Sequence, residues 1–156
     1  MIPGVTTRAA EAQDEAFLFQ LFKAVRGPDF ARIPMAPEQF DMLLNMQYMG
    51  QKMTYGAQYP GGNQVVILDG SPIGRIWLHR AEGEHELVDI ALLPEFRNRG
   101  IGTALVTEAI SASRAAGVPL RCSVDIANPG SLRFHRRLGF QIVSQDEVQY
   151  QLAVEP

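Results

Sequence analysis

A glycine-containing turn flanked by basic residues offers the clearest chemistry in this sequence. The turn stands where an apolar, strand-like run passes into an amphipathic stretch, and it comprises Arg97, Arg99, Gly100 and Gly102. Glycines allow a close approach of the backbone, and the first turn of a helix presents unpaired N–H groups at the positive end of its dipole. This arrangement predicts an anion site. It is not a Walker loop, because no Lys-Ser/Thr pair follows the glycines, and it lacks the Gly-x-Gly-x-x-Gly of dinucleotide folds.

The elements around this turn follow from apolar periodicity and from the positions of glycine and proline. Strands are predicted at 5–8, 64–68, 72–79, 85–93 and 120–127, with two more within 141–154. Helices are predicted at 11–26, from 37 to beyond 52, at 100–116 and at 131–138, and Gly27-Pro28 is expected to end the first of them. The order β-α-α-β-β-β-α-β-α-β-β predicts a mixed α/β (α+β) fold with a largely antiparallel sheet.

Composition narrows the classes of protein that this chain can represent. Its 156 residues suffice for one domain, which we expect to span 1–156, and 46% hydrophobic with 20% charged residues is typical of a globular protein. The net charge of −3 and the lack of a basic helix argue against nucleic acid as a partner. Cys122 stands alone, and neither His79 nor His85 has ligand spacing, so we expect no disulfide and no metal. Without a signal pattern or a membrane-length apolar run, we expect a cytoplasmic monomer or homodimer that does not engage a membrane.

Three spaced blocks carry a resemblance to a known family. The first runs Ile-Ala-Leu-Leu-Pro-Glu-Phe from position 90, the second is Arg-Asn-Arg-Gly-Ile-Gly at 97–102, and the third is Asn-Pro-Gly-Ser-Leu-Arg-Phe-His-Arg-Arg-Leu-Gly-Phe at 128–140. In this order they resemble the GCN5-related N-acetyltransferase (GNAT) superfamily, whose signature is Arg/Gln-x-x-Gly-x-Gly/Ala. The resemblance implies a mixed, mostly antiparallel sheet of about seven strands, a V-shaped splay between strands 4 and 5, and about four flanking helices.

The same resemblance implies an N-acetyltransferase that moves acetyl from acetyl-CoA to a primary amine by direct attack in a ternary complex. Backbone groups of Ile90 and Leu92 would pair with the pantetheine arm, and the Leu92 amide would face the thioester oxygen, where negative charge grows. Asn128 would contact the cofactor. The residues implied in pyrophosphate binding are Arg97, Asn98, Arg99, Gly100, Ile101, Gly102 and Thr103.

The proton-transfer residues remain open at this point. His135 stands where the family most often has tyrosine, and it is either the general acid or a residue of the pocket wall. An amine acceptor must lose a proton before it attacks, and Glu86 and Asp89 on the fourth strand are the candidate bases. Strict alternation along a strand predicts that these two carboxylates lie on opposite faces, so that only one reaches the cleft. A non-catalytic acyl-CoA sensor with the same fold is the alternative function.

Two further patterns bear on the acceptor. Met42, Met46, Met49 and Met53 recur at helical spacing, which predicts core packing or, alternatively, a wall that receives an apolar part of the acceptor beside Tyr48 or Tyr55. Charge is also segregated along the sequence: the segment 97–137 carries a net +5 and the remainder a net −8. A basic segment suits polyanionic CoA, and an acidic remainder suits a cationic amine.

Overall fold

A seven-stranded sheet with the order β1-β2-β3-β4-β5-β7-β6 organises the computed structural model, which describes residues 2–156. The strands are β1 (Val5–Ala9), β2 (Asn63–Leu68), β3 (Ser71–Arg80), β4 (His85–Leu92), β5 (Leu120–Asp125), β6 (Gln141–Gln145) and β7 (Gln149–Val154). The helices are α1 (Glu15–Phe30), α2 (Pro37–Gln58), α3 (Ile101–Ala115) and α4 (Pro129–Arg137). The predicted order of elements and the mixed, mostly antiparallel sheet are confirmed.

The two central strands separate along part of their length. β4 and β5 run parallel, and their pairing consists of His85 with Leu120, Glu86 with Arg121 and Leu87 with Cys122. Beyond Leu87 the strands diverge, whereas β4 stays paired with β3 as far as Leu92. The predicted splay between strands 4 and 5 is therefore present, and it leaves one edge of β4 free of a neighbouring strand.

A β-bulge interrupts β4 at the point where this pairing ends. Trp77 lies opposite Asp89, but the next residue of β3, Leu78, lies opposite Leu87, so Val88 is the extra residue. An extra residue reverses the alternation of side chains beyond it. Glu86 and Asp89 consequently lie on the same face of the sheet, and the prediction of opposite faces is wrong.

The two faces of the sheet are covered by different helices. On one face, Leu87, Ile90 and Leu92 pack in the main core with the apolar stripe of α3. On the other face, α1 packs against β3 and β4, and α2 packs on α1 through a smaller cluster that includes Leu44 and Tyr48. The free edge of β4 thus lies at the border between an apolar core and a face covered by an α-helical hairpin.

The helical hairpin departs from the sequence-based prediction in its length. α1 continues through Gly27 and Pro28 to Phe30 instead of ending at Gly27. Gly27 is buried, and a Cβ at that position would lie 4.0 Å from the Phe40 ring, an ordinary contact. The helix thus continues through two residues that usually end one.

The methionine stripe of α2 faces away from the core. Leu44 and Tyr48 are buried against α1, whereas the four methionines are 42–72% exposed, and these are Met42, Met46, Met49 and Met53. The prediction that the stripe packs in the core is wrong. The alternative, a methionine wall beside Tyr48 or Tyr55, also fails, because those tyrosines point inward from the opposite side of the helix.

None of the helices within residues 2–156 is both long enough and apolar enough to cross a membrane.

Candidate active site

A cleft of about 310 Å³ occupies the gap between β4 and the start of α4. Its floor is the free edge of β4, one end is the glycine turn before α3, and the opposite wall is α4. Eight of the residues predicted to hold the cofactor or its thioester line this cleft: Ile90, Leu92, Arg97, Asn98, Gly100, Gly102, Thr103 and Asn128.

The glycine turn aims backbone N–H groups at one end of the cleft. Gly100 caps α3 in a left-handed conformation with a φ of 80°, which glycine adopts without strain. The first helical bond runs from the Ala104 N–H to the Gly100 carbonyl at 3.0 Å, so the amides of Ile101, Gly102 and Thr103 precede the first helical donor and have no acceptor within the helix. These amides and the helix dipole have the arrangement that an anion site requires, and the anion site itself stays a prediction.

Gly102 keeps the cleft open between α3 and α4. A Cβ at this position would meet the Phe134 ring at 3.6 Å and the Leu92 side chain at 4.0 Å, both ordinary contacts. A methyl group would therefore fit, but a larger side chain would project into the space between these two residues.

The free edge of β4 presents backbone groups to the cleft. The Leu93 N–H donates to the Ile73 carbonyl of β3 at 2.8 Å. Successive residues of an extended strand direct their N–H and C=O groups to alternate edges, so Leu92 and Ile90 direct theirs away from β3. The Arg97 side chain, which lines the cleft, donates to the Leu92 carbonyl at 3.2 Å, in agreement with that direction.

Two of the predicted pyrophosphate residues contribute differently from the rest. The Arg99 guanidinium lies over the Phe96 ring, 5.2 Å from its centroid, and the Ile101 side chain is buried in the core beneath α3. Because its side chain is buried, Ile101 can reach a ligand only through its backbone. Asn128 also has a structural role, because its side-chain oxygen accepts from the Ser131 N–H at 3.1 Å and caps α4.

His135 lies in the wall of the cleft with one ring nitrogen already engaged. The ring is buried between Phe134 and Phe140, and Nδ1 lies 2.8 Å from the Ser131 carbonyl oxygen, to which it donates. The other nitrogen, Nε2, then carries no proton in the neutral ring. Burial lowers the pKa of His135, which disfavours the imidazolium that would donate from Nε2.

On the opposite side of β4, Glu86 lies in a separate polar cavity of about 280 Å³. The Tyr59 hydroxyl donates to Glu86 Oε1 at 3.1 Å, while Oε2 is buried without a hydrogen-bond partner among residues 2–156. Burial raises the pKa of Glu86, and the bond from Tyr59 partly offsets that rise. The other polar side chains of the cavity wall are Tyr55, Gln58, Ser123, Gln149 and Gln151.

Asp89 is neutralised by a buried arginine. The Arg75 guanidinium donates to Asp89 Oδ2 from both Nε, at 3.1 Å, and a terminal nitrogen, and it also donates to Gln51 Oε1 at 2.9 Å. Arg75 is only 6% exposed, so its charge requires this partner. The two carboxylates therefore differ: Asp89 is bound in an ion pair, and Glu86 keeps a free oxygen.

Ala91 and Tyr55 connect the three cavities. The Arg75–Asp89 pair borders a cavity of about 90 Å³ beneath α1, which shares Ala91 with the cofactor cleft and Tyr55 with the Glu86 cavity. Burial raises the pKa of Tyr55, with Asp89 adding to the effect, so its hydroxyl stays protonated. The three cavities are therefore neighbours along β4, each sharing one lining residue with the next.

Sequence reasoning missed Tyr59 and Arg75. Tyr59 belongs to a segment that reads as a loop, and it is held by the Trp77 indole N–H, which donates to the carbonyls of Tyr59 and Gly61 at 3.2 and 2.8 Å. Arg75 did carry a signal, because a cation within an apolar strand requires a nearby carboxylate. Residues 2–156 hold no cluster of three or more His, Cys, Asp or Glu side chains that could bind a metal.

Comparison with known proteins agrees with this geometry. The sequence profile of the acetyltransferase (GNAT) family matches residues 31–140. An uncharacterised N-acetyltransferase of Methanocaldococcus jannaschii is 34% identical over 85 residues, which are 49% of this chain and 38% of that protein. The chain thus spans less than half the length of this relative.

Solved structures share the fold at low identity. PaiA N-acetyltransferase from Thermoplasma acidophilum, in complex with coenzyme A, superposes with a TM-score of 0.73 at 19% identity over 97% of this chain and 99% of that one. Arabidopsis thaliana Naa50, in complex with the bisubstrate analogue CoA-Ac-MVNAL, gives 0.66 at 12% identity over 98% and 99%. The family profile matches more than half of the length of this chain, which therefore belongs to the acetyltransferase (GNAT) family.

Proposed function

We propose that this protein transfers the acetyl group of acetyl-CoA to a primary amine. The observation that carries the proposal is the pairing of two cavities across β4: an anion-binding cleft along its free edge and a carboxylate cavity on its other side. CoA fits the cleft, because the α3 amides and Arg97 suit a pyrophosphate, while the backbone groups of Ile90 and the Leu92 N–H suit the amides of a pantetheine arm.

Glu86 is the general base in this proposal. A base needs a carboxylate at the acceptor cavity and a pKa raised towards the working pH. Glu86 lines the polar cavity, has one oxygen without a hydrogen-bond partner, and has a pKa that burial raises. The acceptor's ammonium gives up a proton to Glu86, and the neutral amine attacks the thioester carbonyl. When the C–S bond breaks, CoA leaves as a thiolate, a fair leaving group because an ordinary thiol has a pKa of about 8.5, and the thiolate takes up the second proton that the nitrogen loses as the amide forms.

His135 serves as a wall of the cleft rather than as the general acid. Its Nδ1 proton is used by the Ser131 carbonyl, and its lowered pKa keeps Nε2 unprotonated near neutral pH. Replacing His135 with Asn, which can also donate to that carbonyl, is expected to leave the basic limb of the rate–pH profile unmoved.

The proposal is tested by release of free CoA thiol from acetyl-CoA across a panel of amines. Glu86→Gln should lower kcat by roughly 10²- to 10⁴-fold, the usual contribution of a general base, and leave the affinity for acetyl-CoA unchanged. Asp89→Asn is the comparison: it should weaken the fold through Arg75, yet retain the acidic limb of the pH profile.

The same assay separates an enzyme from an acyl-CoA sensor. A sensor would bind acetyl-CoA and gain thermal stability from it, but it would release no thiol above background with any amine. That result in the wild-type protein would refute the proposed activity.

A further inference from the structure

The wall of the Glu86 cavity carries several neutral hydrogen-bonding groups and one carboxylate. Amide side chains come from α2 and from β7, and a hydroxyl comes from β5: these are Gln58, Gln149, Gln151 and Ser123. Gln151 Oε1 already accepts from the Ser123 hydroxyl at 2.8 Å, so the Gln151 NH₂ group remains available as a donor. No lysine, no arginine and no second acid lines this cavity among residues 2–156.

Charge near the cavity limits how many cations an acceptor can bring. The neighbouring cavity beneath α1 is lined by Arg26 and Arg75, and its one carboxylate, Asp89, is already paired. A single ammonium group can lie against the Glu86 carboxylate, which lines the cavity. The nearby Glu84 lies outside the cavity wall and is paired with Arg121 at 3.4 Å. A second ammonium on the same molecule would therefore meet uncharged amides or arginines, and it would lose hydration without gaining an unpaired counter-charge.

On the basis of the proposed acetyl transfer, we propose that the acceptor is a small monoamine on a neutral carrier rich in hydroxyl or amide groups. Its amine lies at Glu86, and its carrier donates to and accepts from Gln58, Gln149 and Gln151. Polyamines are poor acceptors because they bring a second charge that the site does not match. Plain alkylamines are poor acceptors because they displace water from the glutamine amides without replacing its hydrogen bonds. Amino sugars and amino-acid amides both have the required chemistry.

The test compares four acceptors by thiol release. Glucosamine and serinamide carry neutral hydrogen-bonding groups, cyclohexylamine carries none, and putrescine carries a second amine. Gln151→Leu removes one donor, so we expect kcat/KM to fall about tenfold for glucosamine or serinamide and to change by less than about twofold for cyclohexylamine. Because the readout is a ratio between variant and wild type for each amine, the different basicities of the amines cancel.

A second variant tests the charge argument in the opposite direction. Gln151→Glu keeps the acceptor for Ser123 and adds a carboxylate to the wall, so it should raise kcat/KM for putrescine relative to glucosamine by about tenfold or more. Gln145→Glu, at an exposed position of β6, is the matched control and should leave that ratio unchanged.

The outcomes distinguish this inference from the proposed function. If the wild type prefers putrescine or cyclohexylamine and neither Gln151 variant changes the ratios, the acceptor class is wrong while acetyl transfer stands. If no amine releases thiol, the proposed acetyl transfer is wrong, and the acceptor class is then tested by the binding of glucosamine measured by NMR. Equal binding to the wild type and to Gln151→Leu overturns the inference, whereas weaker binding to the variant supports it.

Discussion

The hydrogen bond between Tyr59 and Glu86 allows a quantitative test of the base assignment. Tyr59→Phe removes the donor but keeps the ring, so the Glu86 carboxylate loses the one hydrogen bond it receives from residues 2–156. A hydrogen bond to a charged group contributes about 1.5–3 kcal/mol. At 3.1 Å this bond is longer than the usual 2.7–2.8 Å between oxygens, so we take the lower value.

This loss converts directly into a displacement of the pH profile. About 1.5 kcal/mol corresponds to about one pH unit, and it destabilises only the ionised form of Glu86. The pKa of Glu86 therefore rises further in Tyr59→Phe. A base acts when it is deprotonated, so the acidic limb of kcat/KM for the amine should move about one unit towards higher pH.

Tyr48→Phe is the matched control for this measurement. The Tyr48 hydroxyl donates to Glu15 Oε2 at 2.9 Å, so the control also removes a tyrosine–carboxylate bond, but within the α1–α2 hairpin and outside the Glu86 cavity. Its acidic limb should coincide with that of the wild type. An unmoved limb in Tyr59→Phe, or equal displacements in both variants, would refute the assignment of Glu86 as the base.

Three other substitutions test the cleft, the buried carboxylate and the helical hairpin. Gly102→Leu should abolish acetyl-CoA binding by calorimetry and retain a folded circular dichroism spectrum, because its side chain fills the cleft beside Phe134. Glu86→Gln should raise Tm more at pH 8 than at pH 4. The raised pKa of Glu86 means that the folded state holds this proton more tightly than the unfolded state, so the stability of the wild type falls as pH rises from the unfolded pKa to the folded one. Glutamine does not ionise, so the variant avoids that loss. In urea unfolding, Leu44→Ala should lower the free energy of unfolding by about 2–5 kcal/mol, because Leu44 is only 1% exposed. Met46→Lys should change it by less than about 0.5 kcal/mol, because Met46 is 68% exposed. A large loss of stability in Met46→Lys would contradict the exposed methionine stripe.

Local signals were sufficient to predict the order of elements and one end of the site. Apolar periodicity placed the strands and helices, and the glycines marked the turn before α3 that forms one end of the cleft, because each depends on residues close together in the sequence. The left-handed conformation of Gly100 is typical of glycine at a turn and depends on no distant residue. These features can therefore be predicted from the sequence.

The features that sequence reasoning misplaced depend on contacts between distant segments. The shared face of Glu86 and Asp89 depends on the register between β3 and β4, which neither strand specifies by itself. α1 continues through Gly27 and Pro28 to Phe30, although both residues usually end a helix, so their local preferences do not decide where it ends. The methionines have helical spacing whether they face the core or the solvent, and only the packing of Leu44 on the other side of α2 decides which.

The single extra residue in β4 accounts for two properties of the site at once. Pairing with β5 ends at Leu87, directly before the bulge at Val88, and this opens the cleft along the remainder of β4. The same residue turns Glu86 and Asp89 to one face, where Arg75 binds Asp89 in an ion pair and the proposed base, Glu86, receives a hydrogen bond from Tyr59. Deleting Val88 would therefore be expected to impair both the cleft and the placement of Glu86, whereas a substitution at Arg75 would leave the bulge and the cleft in place.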